Sequence, residues 1–151
     1  CVAIVADSLG WDYSVFDVRK DYSNNEKYPL AVETITSSAK LFLDSENSES
    51  IKRFSDILLL GHDWAVDQEL LLGLLKIKGE ENRPRIGAIG SKSKWSSFRN
   101  EALENGIKES WFNSARCPIG LEIGAETPEE IGLAVCAEIL VLDKNISDPE
   151  N

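Results

Sequence analysis

Short apolar runs that end at a glycine and lead straight into a helix start recur in this chain, and few folds accommodate such a pattern. Asp56-Ile-Leu-Leu-Leu60 is closed by Gly61, and Arg85-Ile-Gly-Ala-Ile-Gly90 opens at once into a helix that Ser91 is placed to cap. Both runs are of strand length, and their lack of in-out alternation suits strands covered on both faces. Helical patterns lie between and after them. Leucines fall on more than one side of 67–78, and Trp95, Phe98 and Ala102 recur at helical spacing before Gly106. Alternating helices and buried strands predict an α/β fold: a Rossmann-like three-layer sandwich around a mainly parallel sheet.

The rest of the chain fits the same reading. Residues 2–9 read as the later part of a helix that Gly10 stops, and 13–18 as a strand carrying Asp17 near its carboxyl end with Arg19 just beyond. A polar loop is expected over 21–29, a short strand over 31–35, a polar connection over 44–50 and one helical turn over 50–54. After Ser110 a loop runs into Cys117-Pro-Ile-Gly-Leu-Glu-Ile-Gly-Ala-Glu-Thr-Pro-Glu-Glu130, where Gly120 and Gly124 precede a helix over 128–142. Its start is marked three times, by Thr127 as cap, Pro128 in the first helical position and Glu130 in the place of a capping-box acid. No repeat or low-complexity segment interrupts the chain, which reads as one domain over 1–151.

Asp17 occupies the place of the ribose-binding acid of a dinucleotide-binding unit, which follows a glycine-rich first turn by about 20 residues. That turn and the first strand are therefore expected before residue 1. The sheet edge left exposed would favour a homodimer.

Composition narrows the function classes. The chain has 151 residues, 42% of them hydrophobic, and a formal net charge of −10. Such a charge argues against a nucleic-acid backbone or an anionic membrane as partner. No apolar run is long enough to span a bilayer and no basic leader is present, so a cytoplasmic location is expected. Cys1, Cys117 and Cys136 form no CxxC pair, and His62 is the only histidine, which leaves metal ligation poorly supplied. Cys136 falls on an apolar helix face and reads as core, whereas Cys117, at the mouth of the glycine loop, is a candidate soft metal ligand or thiol.

Ligands on such folds sit beyond the carboxyl ends of the strands. Asp17 and Arg19, His62 and Asp63, Gly90 and Ser91, and the segment from Cys117 through Gly120 and Gly124 all occupy those ends, and are expected to line one rim. The start of the helix at Ser91 favours an anion, with Lys92 and Lys94 adding mobile positive charge. His62 is either a proton donor and acceptor or a structural hydrogen-bonding group. Asp67 is expected to cap its helix, with Asp63 able to share that task. Glu122 and Glu126 read as solvated carboxylates rather than an acid and base pair, and Trp64 and Trp95 as packing groups rather than a stacking platform.

The order Phe-Asp-Val-Arg19, Tyr28-Pro-Leu-Ala31, Gly61-His-Asp63, Ile86-Gly-Ala-Ile-Gly-Ser91 and the long Cys117–Glu130 motif resembles the C-terminal Rossmann domain of the XdhC/CoxI family, the xanthine dehydrogenase accessory proteins. The resemblance runs over essentially the whole chain. It implies a non-catalytic role in maturing molybdenum hydroxylases: holding the molybdenum cofactor (molybdopterin), supporting its sulfuration, with a cysteine desulfurase as a further partner, and delivering it to an apoenzyme such as xanthine dehydrogenase. Asp17 would then contact a sugar or pterin hydroxyl, Gly90 and Ser91 a phosphate, Gly120 to Gly124 would close over the ligand, and Cys117 would meet the metal or its sulfur. Where the family usually has threonine or serine before His-Asp this chain has Gly61, and Ser91-Lys-Ser-Lys94 replaces a Ser-Arg-Arg-Lys run. The latter change turns a bidentate grip on phosphate into point charges. Two other readings stay open. One is an NAD(P)-dependent oxidoreductase with Asp17 on the adenosine ribose and His62 moving a proton; the other is a ligand-sensing or scaffold domain.

Overall fold

The computed structural model describes residues 1–61 and 63–144. The chain divides into two compact units, one formed by 1–36 and 119–151 and the other by 37–118.

In the first unit, α1 (Val2–Ser8) ends at Gly10, whose φ of +75° takes the left-handed conformation that a helix stop requires. Strand β1 (Val15–Asp17) pairs in parallel with β2 (Thr34–Thr36), Val15 opposite Thr34 and Asp17 opposite Thr36. The second strand lies later than the expected 31–35, because Leu30 and Val32 are exposed and Thr34–Thr36 supplies the paired backbone. A 3-10 turn (Lys20–Tyr22) follows β1. The last helix of the unit, Pro128–Lys144, buries Ala134, Val135, Cys136 and Ile139. It packs closely on α1, since a Cβ at Gly132 would come within 3.0 Å of the Cys1 carbonyl carbon. Only glycine admits that approach.

In the second unit, β3 (Asp56–Leu59) pairs in parallel with β4 (Arg85–Ala88), and the register sets Asp56 opposite Arg85. These two side chains form a bidentate ion pair of 2.8 and 2.9 Å at the start of the ladder. Arg116 adds a parallel bridge to Gly87, donating its N–H to Ile86 O and accepting from Ala88 N–H. The pairing is parallel throughout, as the uninterrupted apolar runs predict, and the architecture is of Rossmann type, with its described strands distributed over two small sheets. The helix after β3, Trp64–Lys78, buries Leu70, Leu71, Leu74 and Leu75, and the helix after β4, Lys92–Glu104, buries Phe98 and Ala102.

Two helices go beyond the sequence expectation. A six-residue helix, Ala39–Asp44, begins at Ser38, whose hydroxyl accepts from Leu41 N–H, and lies against the Trp64–Lys78 helix where Gly73 leaves room for Leu43. A five-residue helix, Glu109–Asn113, occupies part of the expected loop and buries Phe112. Numbering all helices in chain order gives α2 (Ala39–Asp44), α3 (Trp64–Lys78), α4 (Lys92–Glu104), α5 (Glu109–Asn113) and α6 (Pro128–Lys144). No helix among the described residues is long and apolar enough to cross a membrane.

Candidate functional site

In the second unit the carboxyl ends of β3 and β4 and the bridged residue Arg116 lie side by side, so the segments that follow them share one edge. Gly61 and Asp63 follow β3, Gly90 and Ser91 follow β4, and Cys117 follows the bridge. His62 lies outside the described residues.

Both helices at this edge have side-chain caps. Asp63, not Asp67, caps α3, accepting from Ala65 N–H at 2.9 Å and Val66 N–H at 3.4 Å. The helix therefore begins at Trp64, three residues earlier than expected. Ser91 caps α4 by accepting from Lys94 N–H at 3.2 Å, as its position after the strand predicts. Among the described residues the first-turn N–H groups of Lys92 and Ser93 have no such cap, and uncapped groups at a helix start are ready to receive an anion.

Lys94 does not supply the mobile charge expected of it. Its side chain, only 4% exposed, turns inward to donate to Asp67 Oδ2 at 3.1 Å and Ile89 O at 3.0 Å, while Asp67 is 3% exposed. Asp67 is thus the counter-ion of Lys94 rather than a cap. The pair lies beneath the two glycines: a Cβ at Gly61 would come within 2.5 Å of Asp67 Oδ1, and one at Gly90 within 2.6 Å of Lys94 Cδ. Phe98 and Trp64 flank the ammonium at 5.4 and 6.0 Å from their ring centres. A buried, paired charge with aromatic neighbours belongs to the framework of this edge. Lys92, exposed, remains as its free cation among the residues expected there.

Cys117 Sγ points to Gly90 O at 3.7 Å, which ties the third segment of the edge to the second. Burial pushes the Cys117 thiol above its ordinary value, and the nearby Lys94 only partly offsets this. The sulfur is a protonated thiol at neutral pH. Among the described residues no group of three or more His, Cys, Asp or Glu side chains is placed to hold a metal ion. Trp95 stacks on Phe112 at 4.6 Å and is a packing residue, while Trp64 meets Phe98 edge-on and stays half exposed.

The first unit holds the other expected residues. Asp17, at the carboxyl end of β1, accepts from Arg19 N–H at 2.9 Å and Arg19 Nε–H at 3.1 Å through Oδ1, with a longer 3.4 Å contact from the guanidinium to Oδ2. Burial raises the Asp17 carboxyl, but the Arg19 side-chain and backbone hydrogen bonds outweigh it and hold the group below its ordinary range. Gly120, with φ of +100°, backs onto α6, where a Cβ would meet Ala134 at 3.3 Å, and Leu121 N–H donates to Ala134 O. Gly124 has φ of +71° and open space around it. The capping box is present: Glu130 N–H donates to Thr127 Oγ1 at 3.1 Å, and Glu130 Oε1 accepts from Thr127 N–H at 3.0 Å and Glu126 N–H at 2.9 Å. Glu122 and Glu126 are exposed.

Sequence reasoning missed the Asp67–Lys94 pair and an aromatic and cationic group around Tyr22. In each case local signals assign the residues to ordinary surface roles.

The uncharacterized protein YqeB of Escherichia coli (strain K12) is 30% identical over 144 residues, which are 95% of this chain and 25% of that protein. A probable xanthine dehydrogenase subunit of Bacillus subtilis (strain 168) is 29% identical over 154 residues, covering 97% of this chain and 40% of its own length. A crystal structure of a xanthine dehydrogenase from Bacillus halodurans superposes with a TM-score of 0.73 at 25% identity, over 99% of this chain and 40% of that one. The chain thus spans between a quarter and two-fifths of the relatives it matches. The family described as the XdhC Rossmann domain matches residues 1–139, and the chain belongs to that family.

Proposed function

We propose that this domain acts in the maturation of a molybdenum hydroxylase such as xanthine dehydrogenase, holding the molybdenum cofactor or a nucleotide-like ligand and assisting its insertion. Family membership and two relatives named for xanthine dehydrogenase support the link to that enzyme. The observation that carries ligand binding is the edge where β3 and β4 end side by side, with Ser91, Lys92 and uncapped N–H groups at the start of α4. These groups fit a phosphate: backbone donors and a hydroxyl give directed hydrogen bonds, and Lys92 adds charge.

Among the described residues the edge supplies a single cysteine, so these residues suit a metal that arrives held by its own organic ligand. When bound, the cofactor would bring the metal and sulfur chemistry of the hydroxylase. The chain's part is to bind and orient. Ser91 and the α4 start hold the phosphate, Gly90 leaves room for the Lys94 side chain beneath the edge, and Cys117 presents a protonated sulfur beside Gly90. In the other unit, taken by itself, Asp17 carries an ionised carboxylate able to accept from a hydroxyl of a sugar or pterin chain.

Calorimetric titration with molybdopterin and, separately, with NAD(H) and NADP(H), together with activation of an apo-hydroxylase, tests this reading. Binding of molybdopterin that Ser91→Ala weakens, coupled to hydroxylase activation, is the expected result. Binding of none of these ligands overturns it. The carboxylate of Asp17 at a strand end also suits a nicotinamide dinucleotide, and NADH turnover abolished by His62→Ala would replace the accessory reading with an oxidoreductase. Persistence of the hydroxylase complex in an Asp17→Ala, Ser91→Ala double variant that binds no ligand would instead favour a scaffold.

A further inference from the structure

Within the first unit, α1 and the loop before β2 border a cavity of about 410 Å³, a volume in the range of small-molecule sites. Ile4 and Asp7, three residues apart on α1, share one helix face and supply one wall. Tyr13, Lys27, Tyr28 and Leu30 supply the others. The loop is held by its own hydrogen bonds: Asn24 Oδ1 accepts from Lys27 N–H at 2.9 Å, Asn24 O from Tyr28 N–H at 3.0 Å and Tyr28 O from Ala31 N–H at 3.2 Å. Val32 N–H donates to Tyr13 O at 2.8 Å, which ties the loop to the segment entering β1. The Lys27 ammonium lies 4.7 Å from the Tyr22 ring centre and 5.9 Å from that of Tyr28, and these two rings steady the charge at the cavity wall.

The cavity thus carries one cation and one anion, and among the described residues neither Lys27 nor Asp7 is paired with an opposite charge. Ile4, 73% exposed, and Leu30, 64% exposed, leave aliphatic surface uncovered beside them. A phosphate ester suits this place poorly, because Asp7 would face it as a like charge. A molecule bearing both charges satisfies both walls at once, and an apolar body covers Ile4 and Leu30. We propose that this cavity binds a zwitterionic α-amino acid with an apolar side chain: its carboxylate meets Lys27, its ammonium meets Asp7, and its side chain lies against Ile4 and Leu30. The Tyr13 and Tyr28 hydroxyls can donate to the carboxylate or accept from the ammonium. None of the groups assigned above to a sugar, a pterin or a phosphate lines this cavity, so the site is a separate one and does not rest on the maturation reading.

NMR titration of the isotope-labelled chain tests this with three probes: L-phenylalanine, hydrocinnamate, which lacks the ammonium, and phenethylamine, which lacks the carboxylate. Phenylalanine should shift the amide resonances of Ile4, Asp7 and Lys27 and bind about fivefold more tightly than either single-charge probe, the scale of a solvent-exposed ion pair. Lys27→Met should remove the advantage of phenylalanine over phenethylamine, and Asp7→Asn its advantage over hydrocinnamate. Both side chains are exposed, so neither change should disturb the fold. Equal affinity of the wild type for the three probes overturns the proposal, as does binding of none of them. Binding that shifts none of these amides, or that keeps its ranking in both variants, overturns it too. The maturation reading stands or falls separately, on molybdopterin and dinucleotide titrations of the same chain.

Discussion

A single added carbon at Gly61 would fall 2.5 Å from Asp67 Oδ1, so the missing side chain at 61 and the buried carboxylate at 67 form one structural feature. Asp67 in turn holds Lys94, and Lys94 holds Ile89 O, which fixes the turn that carries Gly90. The pair locks together the two turns from which the candidate ligand edge is built.

Removing one partner should be far more costly than removing both. Asp67→Ala leaves a buried ammonium with only a carbonyl and aromatic rings around it, and should destabilise the protein by about 3–5 kcal/mol. The double variant Asp67→Leu, Lys94→Met, with no charge left to bury, should cost less than Asp67→Ala alone. Gly61→Ala should cost about 1–3 kcal/mol through the enforced shift of the carboxylate. Urea denaturation of the three variants checks this, and a double variant no more stable than Asp67→Ala would show that the ammonium does not depend on its buried partner.

How much of this is legible in the sequence follows from the range of each signal. Ser91 and Thr127 are legible as helix starts because cap chemistry acts within three residues, and β3 and β4 because a short apolar run closed by a glycine carries its own boundaries. Helices α2 and α5 are six and five residues long, too short for a 3.6-residue period to show. Strand β2 lies later than its sequence suggests because Leu30 and Val32 look like strand residues, yet are exposed. Lys94 and Asp67 are 27 residues apart and each sits in the first turn of its own helix, where a lysine looks solvated and an aspartate looks like a cap. Nothing local reveals that they meet. The contact of Arg19 with Tyr22 is hidden for a different reason: both lie in a polar stretch that carries only loop signals.

The capping box gives a second prediction, with a defined pH window. Thr127→Ala removes the acceptor of Glu130 N–H and should cost about 1 kcal/mol. The Thr127 and Glu126 backbone N–H groups hold the Glu130 carboxyl below its ordinary 4.5. A depressed acid contributes stability that is fully present above its unfolded value and is lost as the pH falls through the folded one. The stability gap between the wild type and Glu130→Ala should therefore be constant above about pH 5.5 and shrink as the pH drops below 4.5. Thermal melts of both proteins between pH 3 and 7 measure it.

Lys78 supplies the opposite sign. Its ammonium is buried at the end of α3 and donates to Pro84 O at 3.0 Å, and burial draws its pKa below the ordinary 10.5. Folding therefore disfavours the charged form. That penalty is present at neutral pH and is relieved as the pH rises through the folded value toward 10.5. Relative to Lys78→Met, which cannot titrate, the wild type should gain stability as the pH rises from neutral toward 10.5. Denaturation of the pair at three pH values in that range isolates the effect, because every other titrating group is common to both. A constant difference would show that the amine keeps its ordinary affinity for protons.

Cys117 and Cys136 make a kinetic prediction about the same edge and the core. Burial raises both thiols above the ordinary 9.0, with Lys94 opposing the shift at Cys117. Alkylation requires the thiolate, so in the native protein at pH 7.5 iodoacetamide should modify Cys117 about tenfold more slowly than in urea, and Cys136, which is fully buried, more slowly still. Mass spectrometry of tryptic peptides over a time course resolves the two sites. A ligand seated beside Gly90 should protect Cys117 further and leave Cys136 unchanged, because only Cys117 shares that edge through its 3.7 Å contact with Gly90 O. Rapid native alkylation of Cys117 would instead mean that a thiolate stands at this position, and the sulfur would then be a nucleophile rather than the protonated group described for the edge.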